Sequence, residues 1–114
     1  MGDRDPIGIG ETGHAAALGT SPDGTPEIRR TALICNQRGL HARAAAKFVK
    51  LAAQFDCDVE VERNETVVCG QSIMGLMMLA AGPGTTILLR ARGNQAESAI
   101  AALADLIGRK FDED

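Results

Sequence analysis

The sequence contains no tryptophan, no tyrosine and only three phenylalanines. Recognition of single-stranded nucleic acid by base stacking needs aromatic platforms, so that class of function is excluded. There is no long basic run, and the formal net charge is −3, so the electrostatic footprint of a duplex-binding protein is missing too. The three cysteines, Cys35, Cys57 and Cys69, are odd in number and widely spaced, with no C-x-x-C pair. They read as small apolar packing residues in a reducing compartment. Only two histidines occur, His14 and His41, without an H-x-x-x-H or Cys–His cluster, so no metal site and no cofactor are expected. No apolar run reaches the roughly 18–20 residues of a membrane span. The N-terminal stretch lacks a basic segment followed by a long apolar core, so no secretory signal is expected and cytoplasm is the default location.

What is present is ordinary for a soluble domain: 114 residues, 45% hydrophobic and 24% charged. Residues 1–26 stand apart. They hold three of the four prolines, many glycines and few large apolar side chains. Such a stretch buries too little surface to offset its ordering entropy, which predicts a flexible tail, with "SPDGTP" as a turn-rich hinge into a domain spanning 27–114. His14 falls in this tail as an incidental exposed side chain.

From Glu27 the pattern becomes regular. "EIRRTALIC" is β-prone. "CDVEVE" alternates, with Cys57, Val59 and Val61 on one side and Asp58, Glu60 and Glu62 on the other, the mark of a half-buried strand. "RNE" turns the chain and "TVVCG" returns to make a hairpin. "TTILLRA" follows the turn "GPG" as a fourth strand. Helical spacing of Ala45, Phe48, Ala52 and Phe55 predicts a helix over 42–55. A short helix is expected at "SIMGLMML" with Ser72 at its N-cap, and a third over 95–110 with Ala96, Ile100, Leu103 and Ile107 buried and Asn94 at its start. The order β-α-β-β-α-β-α, with one solvated sheet face, predicts a two-layer α+β domain.

Two places could carry chemistry. In "RGLHARAAAKF", His41 lies at a helix start and Arg43 in its first turn, where the helix dipole already presents positive charge. Free backbone N–H groups there suit a phosphate. A neutral imidazole is a nucleophile able to accept a phosphoryl group, and the added negative charge would turn Arg43 from an unfavourable neighbour into a partner. The alternative is a histidine that merely ends the loop beside a solvated arginine. In "GQSIMGLMML", Ser72 opens a helix, and Ile73, Met74 and Met77, together with Leu76 and Met78, exceed what so short a helix can hide. They are either an adaptable docking patch or plugs for an aromatic-poor core. A nucleophile-elbow motif is absent.

"GLHARAAAKFV", "QSIMGLMML" and "GTTILLRARGNQAESAIAAL", at these separations, resemble HPr, the histidine phosphocarrier family of the phosphoenolpyruvate-dependent phosphotransferase system. The resemblance covers about 27–110. It implies an open-faced β-sandwich: a four-stranded antiparallel sheet with three helices on one face. It implies that His41 takes a phosphoryl group on Nδ1 from phosphorylated enzyme I and passes it to an enzyme IIA domain, with Arg43 as the active-site arginine. Ser72 matches the serine that an ATP-dependent HPr kinase/phosphorylase modifies in some members, and Ile73, Met74 and Met77 fall on the family's docking surface. A monomer without a cofactor is expected. One departure is Ala44, where the family commonly has proline. Alanine or serine there looks like the nitrogen-related branch, where the relay regulates instead of serving sugar transport. Two rivals remain at this level: an HPr-like binding module switched by Ser72, and a small enzyme using His41 as general base in a pocket.

Overall fold

Alternation in the strands and helical spacing between them build one antiparallel sheet under three helices. The computed structural model describes residues 17–20 and 26–113. The elements are β1 (Ala17–Thr20), β2 (Pro26–Leu33), α1 (Ala42–Ala52), β3 (Asp58–Arg63), β4 (Thr66–Cys69), α2 (Ile73–Met78), β5 (Thr86–Arg92) and α3 (Ala96–Gly108), followed by a one-turn segment, Lys110–Asp112. The strand order is β1-β2-β5-β3-β4, every pair antiparallel. Strands β2 to β5 and the three helices are the expected four-stranded open sheet with its helical layer.

The alternation decides which face is covered. Ala32, Val59, Val61, Ile87, Leu89 and Ala91 point into the core, where they meet Phe48, Ile100, Leu103 and Ile107 from the helices. The other face is a lattice of paired charge. Glu62 pairs with Arg90, Glu60 lies 3.5 Å from Arg92, and Glu27, only 3% exposed, is held by Arg29 and by Arg92 at 3.8 Å. Glu27 tolerates burial because two guanidinium groups compensate its charge.

Four expectations change. The flexible-tail reading of 1–26 fails at Ala17–Thr20, which pair with Pro26–Arg29 as an added edge strand. Backbone pairing at a sheet edge orders a stretch that lacks an alternating apolar pattern. The rest of that tail, with His14, lies outside the described residues. Helix α1 ends at Ala52, and Phe55 packs on the core from the turn beyond it. Asn94 does not cap α3. Its side-chain amide donates to Asp56 Oδ2 at 2.9 Å, while the neighbouring Gln95 Oε1 accepts from the Asp56 N–H at 2.6 Å, so both side chains anchor the turn after α1. Of the cysteines, Cys69 is exposed on edge strand β4, whereas Cys35 and Cys57 are half-buried. Burial, reinforced by Asp58 and Asp56, pushes the Cys57 thiol up and keeps it protonated.

The β3–β4 hairpin closes through a two-residue loop, Asn64 and Glu65, both at positive φ (50° and 69°). This is the primed-turn geometry that matches strand twist, and glycine suits its second position better than glutamate. Glu65→Gly is expected to stabilise the domain by about 0.5–1 kcal/mol, the relief of left-handed strain exceeding the added unfolded-state entropy. Urea unfolding checks it, and a lower midpoint for the variant contradicts the turn assignment.

Candidate functional site

The loop that delivers His41 is set by a glycine and a buried amide. Gly39 adopts φ +65°, and a Cβ there would stand 2.5 Å from the Ala81 carbonyl oxygen and 2.8 Å from Gly82 Cα. The backbone can therefore lie directly against the segment that follows α2. The neighbouring Leu40 N–H donates to the same Ala81 carbonyl at 2.9 Å. Asn36, fully buried, donates from Nδ2 to the Gly39 carbonyl at 2.9 Å and closes the loop from inside. His41 then leaves the loop extended, at φ −79° and ψ −178°, and its carbonyl accepts from the Ala45 N–H at 2.8 Å, so it is the N-cap of α1. Its ring makes no cap bond to the first-turn amides.

The first turn of α1 contains no acidic residue. Its amides and the exposed Arg43 present positive charge together. The compensating carboxylate arrives from the far end of the chain: Glu113 Oε1 lies 2.9 Å from His41 Nε2. An ionised carboxylate can only accept, so Nε2 carries the hydrogen, and a neutral ring keeps its lone pair on Nδ1. The hydrogen bond from His41 holds the Glu113 carboxyl below the ordinary glutamate range, with further help from the charges of His41, Lys47 and Arg43 and opposition from burial. The two side chains are 19% and 10% exposed, which leaves an edge of the imidazole open to an incoming molecule.

Glu113 is positioned by an unusual turn. Lys110, Phe111 and Asp112 all have left-handed φ, at 59°, 55° and 60°. Three such residues cost on the order of 1–2 kcal/mol each. Phe111 is completely buried and contributes about 1.5–3 kcal/mol. Lys47 Nζ donates to the Phe111 carbonyl at 2.6 Å, a charge-assisted bond of about 1.5–3 kcal/mol, which brings the two sides into balance. Arg109 Nε adds a bond to Asp112 Oδ1 at 2.9 Å. Glu113, Lys47 and Phe111 were not among the residues that the sequence singled out. The available signal was Phe111 itself, a lone aromatic in the polar run "GRKFDED", which marks an anchor returning to the core.

Ser72 is the N-cap of α2, and its Oγ accepts from the Gly75 N–H at 2.9 Å. Beyond it the helix divides sharply. Leu76 and Leu79 are buried and tie it to the core, whereas Ile73, Met74, Met77 and Met78 are 40%, 75%, 44% and 74% exposed. The methionines are therefore a surface patch and not core plugs, and Leu76 belongs to the core. Helix α2 packs on α1, and the loop before His41 is bonded to the segment just after α2. Ala44, fully buried in the first turn, faces inward. The main hollows of the described surface are lined by other residues, none by His41. Among the described residues there is no grouping of three or more His, Cys, Asp or Glu suited to a metal ion, and no helix long and apolar enough to cross a membrane.

Known proteins resemble this chain over most of its described length. The family described as "PTS HPr component phosphorylation site" matches residues 28–109. The phosphocarrier protein HPr of Pseudomonas aeruginosa is 54% identical over 81 residues, covering 70% of this chain and 90% of that protein. The phosphocarrier protein NPr of Shewanella violacea is 41% identical over 87 residues, covering 76% and 96%. The crystal structure of HPr-C-His from Thermoanaerobacter tengcongensis superposes with a TM-score of 0.73 at 44% identity, covering 75% of this chain and 97% of that one.

Two outcomes test the site geometry. A carboxylate with a lowered folded-state pKa stabilises the fold above its unfolded value, and that contribution disappears as pH falls through the folded value. NMR titration of the Glu113 side chain is therefore expected to show a midpoint below the ordinary glutamate range, lost in His41→Ala. A midpoint at or above that range removes the contact. Gly39→Ala meets both the left-handed φ and the Ala81 carbonyl, and is expected to cost more than about 2 kcal/mol in urea unfolding. Unchanged stability would show that the loop does not lie against Ala81.

Proposed function

This chain belongs to the HPr family of phosphocarrier proteins, and from that premise we propose that His41 is the phosphoryl acceptor of a phosphoenolpyruvate-dependent relay. Phosphorylated enzyme I is the donor and an enzyme IIA domain the acceptor. The observation that carries the reading is the pairing of His41 Nε2 with Glu113 beside an uncompensated helix end. Nδ1 attacks the donor's phosphorus, the N–P bond forms, and the donor's own bond to phosphorus breaks with its electron pair returning to the donor. The ring gains positive charge in this step, and the Glu113 carboxylate on the Nε2 hydrogen stabilises it, much as a buried aspartate supports a catalytic histidine. The phosphoryl oxygens meet the first-turn amides and Arg43, which have no competing ion pair among the described residues. Onward transfer reverses these steps, so the chain carries the group and is not itself a catalyst.

Partners must dock in turn, and the exposed Ile73, Met74 and Met77 supply an adaptable apolar patch for them. Ser72 sits at the edge of that patch as the regulatory phosphorylation site. A phosphate there would place about two negative charges beside apolar docking residues and disfavour the same partners. The relay places the protein in the cytoplasm, with enzyme I, IIA domains and an HPr kinase/phosphorylase as its chemical neighbours. Among the relatives are proteins named HPr and one named NPr, in keeping with a role in sugar transport or in nitrogen regulation.

Incubation with phosphoenolpyruvate and enzyme I is expected to add one acid-labile phosphate, abolished in His41→Ala and slowed about tenfold or more in Arg43→Ala. Incorporation that survives His41→Ala, or none in the unaltered chain, ends the proposal. Ser72→Asp is expected to weaken transfer through docking, raising the concentration of enzyme I needed without changing the site of phosphorylation. If Ser72→Asp instead gains a new partner while transfer is absent from the unaltered chain, the protein is a switched binding module.

A further inference from the structure

A histidine offers two ring nitrogens to an incoming phosphorus. In the neutral ring one carries the hydrogen and the other the lone pair, and the hydrogen-bond partners decide which. Among the described residues the His41 ring has a single partner, Glu113 Oε1, 2.9 Å from Nε2. No bond from the first-turn amides of α1 competes for its orientation.

Holding Glu113 there carries two penalties. Lys110, Phe111 and Asp112 all take left-handed φ immediately before it. Its second oxygen, Oε2, is sealed from solvent with no hydrogen-bond partner among the described residues. An orphaned buried acceptor is unfavourable, and so is a run of left-handed residues. A C-terminal turn with no task could relax both by swinging Glu113 into water. It is kept in place by the fully buried Phe111 and by Lys47 Nζ, which donates to the Phe111 carbonyl at 2.6 Å. Outliers of this kind gather at functional sites. What they secure here is one contact, a carboxylate on Nε2. The hydrogen bond from His41 holds that carboxyl below the ordinary glutamate range, aided by the charges of His41, Lys47 and Arg43, so it accepts and has no proton to return.

We propose that Glu113 is the positioning residue that assigns the ring nitrogens of His41, holding the hydrogen on Nε2 and confining phosphorylation to Nδ1. The inference rests on the reading of His41 as phosphoryl acceptor. Tautomer and occupancy act together. With its hydrogen fixed, Nε2 has no lone pair to attack with, and the Glu113 oxygen stands on the side from which it would receive phosphorus. Nδ1 attacks, the N–P bond forms, and the bond from phosphorus to the leaving atom breaks with its electron pair going to that atom. The Nε2 hydrogen stays on the ring, so no proton is removed before attack. Without the carboxylate the other tautomer is no longer disfavoured, and Nε2 becomes a second acceptor. A phosphoryl group there takes the place of the Glu113 carboxylate against the C-terminal turn.

The test treats the full-length chain with phosphoramidate, a small donor that needs no docking and loses ammonia as the new N–P bond forms. Two-dimensional 1H–15N NMR of the ring reports which nitrogen bears phosphorus. The unaltered chain is expected to carry phosphate on Nδ1 alone. In Glu113→Ala both isomers are expected, with selectivity for Nδ1 falling about tenfold or more, the effect of losing one charge-assisted hydrogen bond. Glu113→Gln keeps an amide oxygen able to accept from Nε2, and is expected to retain Nδ1 selectivity. Lys47→Met leaves the carboxylate but frees the turn, and is expected to fall between. The same isomer ratio in Glu113→Ala as in the unaltered chain overturns the inference and leaves His41 as acceptor. So do mixed isomers in Glu113→Gln accompanied by a lowered urea midpoint, which assign the effect to the fold. No phosphate on His41 in the unaltered chain overturns the acceptor reading, and the inference with it.

Discussion

The positive end of α1 is the constraint on which the rest of the molecule depends. A helix start with free amides, an arginine in its first turn and no local acid is electrostatically unfavourable in isolation. The fold supports it from two directions. The Gly39 loop is pressed onto the Ala81 carbonyl, which fixes where the helix begins, and the C-terminal turn returns Glu113 to the histidine from 72 residues further along the chain. The compensation is partial: one carboxylate faces a histidine, an arginine and three amides. A site that is only partly neutralised retains attraction for an incoming dianion, and it also lets that anion leave again.

The same economy explains the left-handed C-terminal turn. Backbone strain there would be hard to justify by itself, but Phe111 and the Lys47 bond offset it and hold Glu113 in register with His41. Strain, packing and electrostatics are thus coupled within four consecutive residues. Helix α2 resolves a different conflict. Six residues cannot bury five large apolar side chains, so Leu76 and the cap residue Leu79 anchor the helix and the others remain in solvent. The outcome is an exposed apolar patch, a feature that marks interaction surfaces more often than bare solvent-facing ones.

Much of this was legible in the residues. Cys57 to Glu62 alternated, and the faces are those observed. Ala45, Phe48 and Ala52 repeated at helical spacing and are fully buried. Ser72 was readable as a cap because its side chain acts three residues away. The resemblance of the two motifs to the HPr family added what spacing could not, an expected chemistry for His41 and an expected docking role for Met74 and Met77. Three local readings failed for local reasons. Ala17–Thr20 looked unstructured because a strand built on backbone pairing needs no apolar pattern. Asn94 looked like a cap because its type suits one, yet Asp56 took its side chain. Cys69 looked buried because cysteine usually is, but it lies on the exposed side of an edge strand.

The sequence by itself determined the periodic elements, the core stripe and the place of His41 at a helix start, since each depends on residues within a few positions of one another. Only the tertiary structure decided that Glu113 meets His41 and that Lys47 and Phe111 hold the turn that carries Glu113. Those contacts join residues distant in the chain, and their strength depends on distances and burial that no local pattern encodes.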